Sequence, residues 1–240
     1  MRKIFFILFL FVSLLSKGQD FIEWISGQGS NCKEYGLLYN FYVATDPNIT
    51  SGNGWIVPDT TEVKILLDYI DDYDSESGQW LLAGGYLKKT GLEYWYSPNL
   101  GAVDSYKYSA TGAGFRTDLG EYQNIKTNGE YWTTDTLDNY SAYFLGIYSA
   151  DELAEIETFQ QKEGHPIRLV RPATESEQLL DDGTYVDNYV GNDLTEYPAV
   201  KIGTQVWLAK NLYETKFRNG DITPYHGLNL PILLCLHNNL

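Results

Sequence analysis

Asp59-Thr-Thr-Glu-Val-Lys-Ile-Leu-Leu-Asp-Tyr-Ile70 carries the clearest helical period in the chain. Its opening Asp-Thr-Thr-Glu62, just after Pro58, has the form of a capping box, and Val63, Leu66, Leu67 and Ile70 follow at i, i+3, i+4 and i+7. That spacing predicts a helix over about 59–72 with one apolar stripe facing a core. The run Asp68, Asp71, Asp72, Asp74 and Glu76 then ends it in an acidic loop. Calcium ligation by that run lacks the spacing and central glycine of an EF-hand loop, so a solvated helix end is the better reading.

Outward from this helix the patterns are those of strands. Upstream, Tyr35-Gly-Leu-Leu-Tyr-Asn-Phe-Tyr-Val43 is rich in aromatic and apolar residues and is followed by the turn clusters Asp46-Pro47-Asn48 and Ser51-Gly52-Asn53-Gly54. Downstream, Tyr131-Trp132-Thr133, Tyr140 to Tyr148 and Ile167 to Arg171 read as strands. Ala199 to Ile202 and Gln205 to Leu208 flank Gly203-Thr204 as a hairpin. Between Gly84 and Asn128 the periodicity fades into ordered loops pinned by aromatics. The fold class is therefore α+β, with a mostly antiparallel sheet, one clear helix and long ordered loops.

The polar stretch Pro172 to Asp182 reads as a boundary, giving residues 1–18 as a leader, 20–172 as a first unit, 173–182 as a linker and 183–240 as a second unit. Arg2 and Lys3 precede an apolar run from Ile4 to Leu15, then small residues at Ser16 and Gly18, the pattern of a cleaved secretory signal. Such a run spans roughly 18 Å as a helix, short of the ~30 Å hydrocarbon layer, so no stable membrane span is expected. The expected location is secreted, periplasmic or at the cell surface. Without residues 1–18 the chain keeps 14 of its 17 basic side chains and all 32 acids, a net charge of −18. Its longest basic run is Lys88-Lys89, so nucleic acid is not an expected partner. Cys32 and Cys235 are the only thiols, and in an oxidising compartment they are either one bridge or two inert buried side chains.

His165, His226 and His237 stand too far apart in sequence for a local zinc site, and no nucleophile elbow, phosphate loop or dinucleotide fingerprint is present. No metal, cofactor or catalytic residue is assigned. With 32 acids some carboxylate pair lies at a glycosidase separation by chance, so sequence nominates none. The most suggestive feature is aromatic rings among Asn, Ser, Thr and Gly, a mixture that suits sugars and protein epitopes. Trp95, Tyr96, Asn99, Tyr131, Trp132, Tyr140 and Tyr143 are the candidate ligand-binding residues. The competing reading is that the same aromatics are buried and hold the loops together.

Taken in order, several blocks resemble the Fibrobacter succinogenes major paralogous domain. They are Tyr35 to Val43, Gly54-Trp-Ile-Val-Pro58, Ala83-Gly-Gly-Tyr-Leu-Lys88, Tyr94-Trp-Tyr-Ser-Pro-Asn99, Gly112-Ala-Gly-Phe-Arg116, Glu130-Tyr-Trp-Thr-Thr134 and Arg168-Leu-Val-Arg171. Val200-Lys-Ile-Gly-Thr-Gln-Val-Trp-Leu-Ala-Lys-Asn-Leu212 resembles the family's opening block, which here stands after the blocks it normally precedes. Residues 183–240 are thus either the start of a second copy cut short or the missing opening strands of the first, as a circular permutation. Permutation needs neighbouring chain ends, which domains commonly have. Permutation would also bring Cys235 towards Cys32, as the family's order of blocks implies, and a bridge there would close a loop of about 200 residues and add on the order of 5 kcal/mol. Departures are Pro172, where the family often has a cysteine, and the poorly matching stretch Pro224 to Leu234.

The resemblance implies a fold related to C-type-lectin-like and formylglycine-generating-enzyme-like domains, in exported proteins, with no established reaction. The calcium-dependent sugar signature of true C-type lectins is absent, since Ser97 stands before Pro98-Asn99. The function expected is a non-catalytic binding module for a glycan or an extracellular protein. The alternatives are a polysaccharide hydrolase using a carboxylate pair and a structural surface or appendage component.

Overall fold

The structure is a computed structural model that describes residues 35–223 and the backbone of Leu233–Leu234. The leader, both cysteines, His226 and His237 lie outside the described residues. The leading elements are β1 (Leu38–Tyr39), a one-turn helix α1 (Phe41–Ala44), helix α2 (Thr60–Ile70), β2 (Tyr73–Asp74), β3 (Gln79–Trp80) and a short helix α3 (Ala83–Leu87). Then come β4 (Phe115–Arg116), β5 (Tyr122–Gln123), β6 (Asn128–Thr136), β7 (Ser141–Tyr148), β8 (Ala154–Gln160) and β9 (Val170–Pro172). The last are β10 (Tyr185–Val190), β11 (Glu196–Ile202), β12 (Gln205–Leu208) and β13 (Leu233–Leu234).

A five-stranded sheet runs β2-β3-β8-β7-β6 and a four-stranded sheet runs β10-β11-β12-β9, with β1-β13 and β4-β5 as two-stranded ribbons. Every pairing between strands is antiparallel, as the α+β reading requires. Helix α2 forms as its sequence dictates. Asp59 accepts from the amides of Thr61 and Glu62, Glu62 accepts in return from the Asp59 amide, and Val63, Leu66, Leu67 and Ile70 are buried.

Two of the strand expectations are corrected. Tyr35 to Val43 is extended only at Leu38–Tyr39, because the Asn40 side chain accepts from the Val43 amide and starts the helical turn α1. Of Ile167 to Arg171 only Val170 and Arg171 are strand; Ile167 and Leu169 instead accept from the Leu212 and Leu208 amides outside the ladder. The expected hairpin at 199–208 is β11 and β12, closed by Gly203-Thr204 with Gly203 at positive φ.

A strand from before the polar stretch 173–182 shares one sheet with the strands after it. β12 pairs with β9 in the register Trp207 to Val170 and Val206 to Arg171. Both faces of β12 are buried. Trp207 belongs to the buried cluster that holds α2, Trp80 and Leu145, whereas Val206 and Leu208 belong to the cluster that holds Trp55, Trp132 and Ile167. The Leu37 amide donates to the Leu212 carbonyl at 2.9 Å, and Asn211 Nδ2 donates to the Tyr35 carbonyl at 2.8 Å. Gly36, at φ +77°, sits where a Cβ would fall 2.5 Å from Asn211 Cβ, so only glycine permits that approach.

Candidate functional site

The seven residues singled out in the sequence do not form one face. Trp95, Tyr131 and Trp132 are buried, and each polar atom is bound to backbone: Trp95 Nε1 donates to Ala110 O, Trp132 Nε1 to Tyr39 O, and Tyr131 OH to Thr111 O. Their apolar bodies fill the interior and their single donors fasten loops, so these three rings are removed from any ligand surface. Asn99 is buried as well, with Nδ2 donating to Lys89 O and Gly91 O. Tyr96 is 50% exposed, with the Lys126 ammonium 5.8 Å from its ring centre. Tyr140, 79% exposed, stands in the turn between β6 and β7, where the Asp138 carboxylate accepts from the Tyr140 and Ser141 amides. Tyr143 lies half-buried on β7 and lines a cleft.

That cleft, of ≈ 570 Å³, opens between α2 and the five-stranded sheet. Its walls are Thr60, Lys64 and Asp68 from one flank of α2, Tyr73, Gly78 and Trp80 from the β2-β3 hairpin, and Tyr143 and Ile156 from β7 and β8. Thr60, Lys64 and Asp68 recur every fourth residue, so the helix aligns them beside its apolar stripe. Asp68 accepts from Trp80 Nε1 at 2.8 Å, which fixes the indole against the floor. The Tyr73 ring tilts over Trp80 at 4.8 Å between centres and is itself 52% exposed. At the far wall, the Thr60 amide and hydroxyl both donate to Asp135 Oδ2. The cleft thus presents two accessible phenol rings, an ammonium, a carboxylate and a hydroxyl around one concave space, an arrangement suited to binding.

The acidic run beyond α2 is engaged locally. Asp71 accepts from the Leu82 and Ala83 amides, and Asp74 from the Glu76 amide and the Ser77 hydroxyl. These bonds shape the β2-β3 turn that carries Tyr73. Among the described residues no group of three His, Cys, Asp or Glu side chains is arranged to hold a metal ion, and no helix is long and apolar enough to cross a membrane. Of the cleft residues sequence reasoning found only Tyr143. Tyr73 and Trp80 stand in one hairpin across an acidic turn, and that spacing was the signal available.

None of the curated proteins and no solved structure matches the chain. The model of the Fibrobacter succinogenes major domain matches residues 16–171, spanning α2, the five-stranded sheet and all eight cleft residues. The chain belongs to that family.

Proposed function

We propose that this protein is an exported, non-catalytic binding module that recognises a glycan in the cleft between α2 and the five-stranded sheet. The observation that carries the reading is the pair of rings, exposed Tyr73 and half-buried Tyr143, that line a cleft of ≈ 570 Å³ together with the polar flank Thr60, Lys64 and Asp68. Phenol faces pack on the C–H faces of sugar rings while short polar side chains bind hydroxyls. A concave space of that size fits one or two sugar units, whereas a specific protein partner needs about 800 Å² of complementary surface per side. We also read the fold as C-type-lectin-like, and residues 183–223 as the opening strands that the copy beginning at Tyr35 lacks. The pairing of β12 with β9 supports this permuted arrangement.

The test is affinity electrophoresis of the protein through gels cast with soluble plant and bacterial polysaccharides. Retardation by at least one polysaccharide is expected, with at least a tenfold loss of affinity in the Tyr73→Ala, Tyr143→Ala double variant at unchanged melting temperature. Binding that survives both substitutions would remove the cleft from the account. Release of reducing sugar would point to the hydrolase, and self-association without retardation to a structural component.

A further inference from the structure

His165 is fully buried between two glutamates. Its Nδ1 lies 3.8 Å from Glu130 Oε2 and its Nε2 lies 3.7 Å from Glu163 Oε2. These are ion-pair rather than hydrogen-bond separations, and neither nitrogen and neither of those oxygens has a hydrogen-bond partner among the described residues. The ring is held in place by aromatics, stacked within 7° of parallel on Phe115, flanked by Phe159 and Phe144, and met edge-on by Trp132. It cannot turn to find other partners.

Proton counting follows from that geometry. A neutral imidazole has one N–H and one lone pair, so it can donate to one carboxylate only, and its lone pair then faces a carboxylate oxygen. Both pairs can close to hydrogen bonds only when the two N···O gaps hold a proton each, one more than a neutral ring supplies. A buried pair of facing lone pairs would be costly. We propose that Glu130, His165 and Glu163 form a proton-dependent clasp that keeps two protons among them in the folded protein, and that losing one above neutral pH loosens the contact between His165 and β1.

Other charged groups near the clasp are few. On β6, Asn128 Nδ2 donates to Glu130 Oε1, which leaves Oε2 to carry the proton toward Nδ1. On β8, Glu155 accepts from Tyr148 OH and Gln79 Nε2 and adds negative charge near Glu130. On β4, Arg116 pairs through its backbone with Gly164, and its guanidinium donates to Thr117 O. From β7 and the rest of β8 the ring meets Phe144 and Phe159, and β1 pairs with the backbone of His165 at Tyr39. Burial, with Glu163 and Glu155 adding to it, pushes Glu130 up to about 7, while burial pulls His165 down. Both directions place the second proton on Glu130.

The clasp acts on β1 because the Tyr39 and His165 amides each donate to the other residue's carbonyl, at 2.8 and 2.9 Å. Tyr39 also faces Leu233 in the β1-β13 ribbon. For the sign, an opened clasp exposes Glu130 and His165 to water at their ordinary values of 4.5 and 6.5. Below 6.5 the opened state regains on His165 the proton it gives up at Glu130, so the two effects oppose each other. Above 6.5 the opened state keeps only the ring N–H while the closed state still holds two protons, so closure weakens as pH rises.

The experiment is nitrogen-detected NMR of His165 in the full protein from pH 5.5 to 9, with amide exchange of Tyr39 and His165 over the same range. The expected result is a ring-nitrogen transition with its midpoint between pH 6.5 and 8 and a several-fold loss of protection at both amides across it. Glu130→Gln, which cannot ionise, is expected to abolish both changes. Ring-nitrogen shifts that stay flat from pH 5.5 to 9 in the unaltered protein would overturn the proposal, whether or not the variant folds. An unchanged transition in Glu130→Gln would overturn it as well.

Discussion

Arg168 shows how one residue ties distant segments together. Its buried guanidinium donates to the carbonyls of Tyr108, Ser109 and Leu208 and to Asn211 Oδ1, and it lies 4.5 Å from the Tyr108 ring centre. The acceptors come from the long loop, from the end of β12 and from the segment after it, so one side chain fastens all three to the strand region at β9. Lys88 does the same at the other end of that loop, its ammonium donating to the carbonyls of Leu100, Tyr148 and Asp151. Arg168→Met would keep the bulk and orphan four acceptors, so a loss of about 3–5 kcal/mol is predicted, read as a fall in the urea midpoint. An effect below about 1 kcal/mol would show that those carbonyls find other partners. Arg168 and Lys88 were legible as parts of family-like blocks but not as buried cations, because lysine and arginine are rarely fully buried and nothing local announces carbonyls up to 63 residues away. The same limit explains Trp95, Tyr131 and Trp132: a ring among polar neighbours reads alike whether it faces water or the core.

At the scale of elements, legibility followed local determination. Helix α2 carries its own cap and its own apolar stripe, and it appears at Thr60–Ile70 within the expected span. The β11-β12 hairpin is likewise set by two apolar runs about a two-residue turn. Helices α1 and α3 were not legible. α1 is a single turn started by one asparagine, and α3 carries two glycines, which lower helix propensity. The reason for those glycines lies in a neighbouring element. A Cβ on Gly84 would fall 2.0 Å from the Leu153 carbonyl oxygen, and one on Gly85 2.7 Å from that of Gly101. Both obstacles are backbone, so Gly84→Ala is predicted to cost about 2 kcal/mol or more despite alanine's better helix propensity, measured by thermal or urea unfolding. A neutral or stabilising result would mean that α3 does not press against the turn after β7. The cleft escaped sequence reading for a related cause: its walls come from α2, the β2-β3 hairpin, β7 and β8, and only the fold brings those flanks together.

For the whole molecule, the core is continuous between the segment before the polar stretch 173–182 and the segment after it. Trp207 and Val200 pack in the cluster that holds α2 and Trp95, and Tyr189, Val206 and Leu212 in the cluster that holds Trp55 and Trp132. The polar stretch is itself tied down, with Arg171 donating to Glu177 through its two terminal guanidinium nitrogens at 2.8 and 2.6 Å. The family match ends at residue 171, whereas the block resembling the family's opening lies at 200–212, on strands whose residues sit in both buried clusters. The account therefore holds that residues 183–223 and 35–172 unfold as one cooperative unit. Native-state hydrogen exchange tests this most directly. The amides of Val206 and Trp207 on β12 are predicted to open with the same free energy, and the same dependence on denaturant, as those of Phe144 and Leu145 on β7. Exchange of β10 to β12 at a markedly lower free energy, with β6 to β8 still protected, would contradict it.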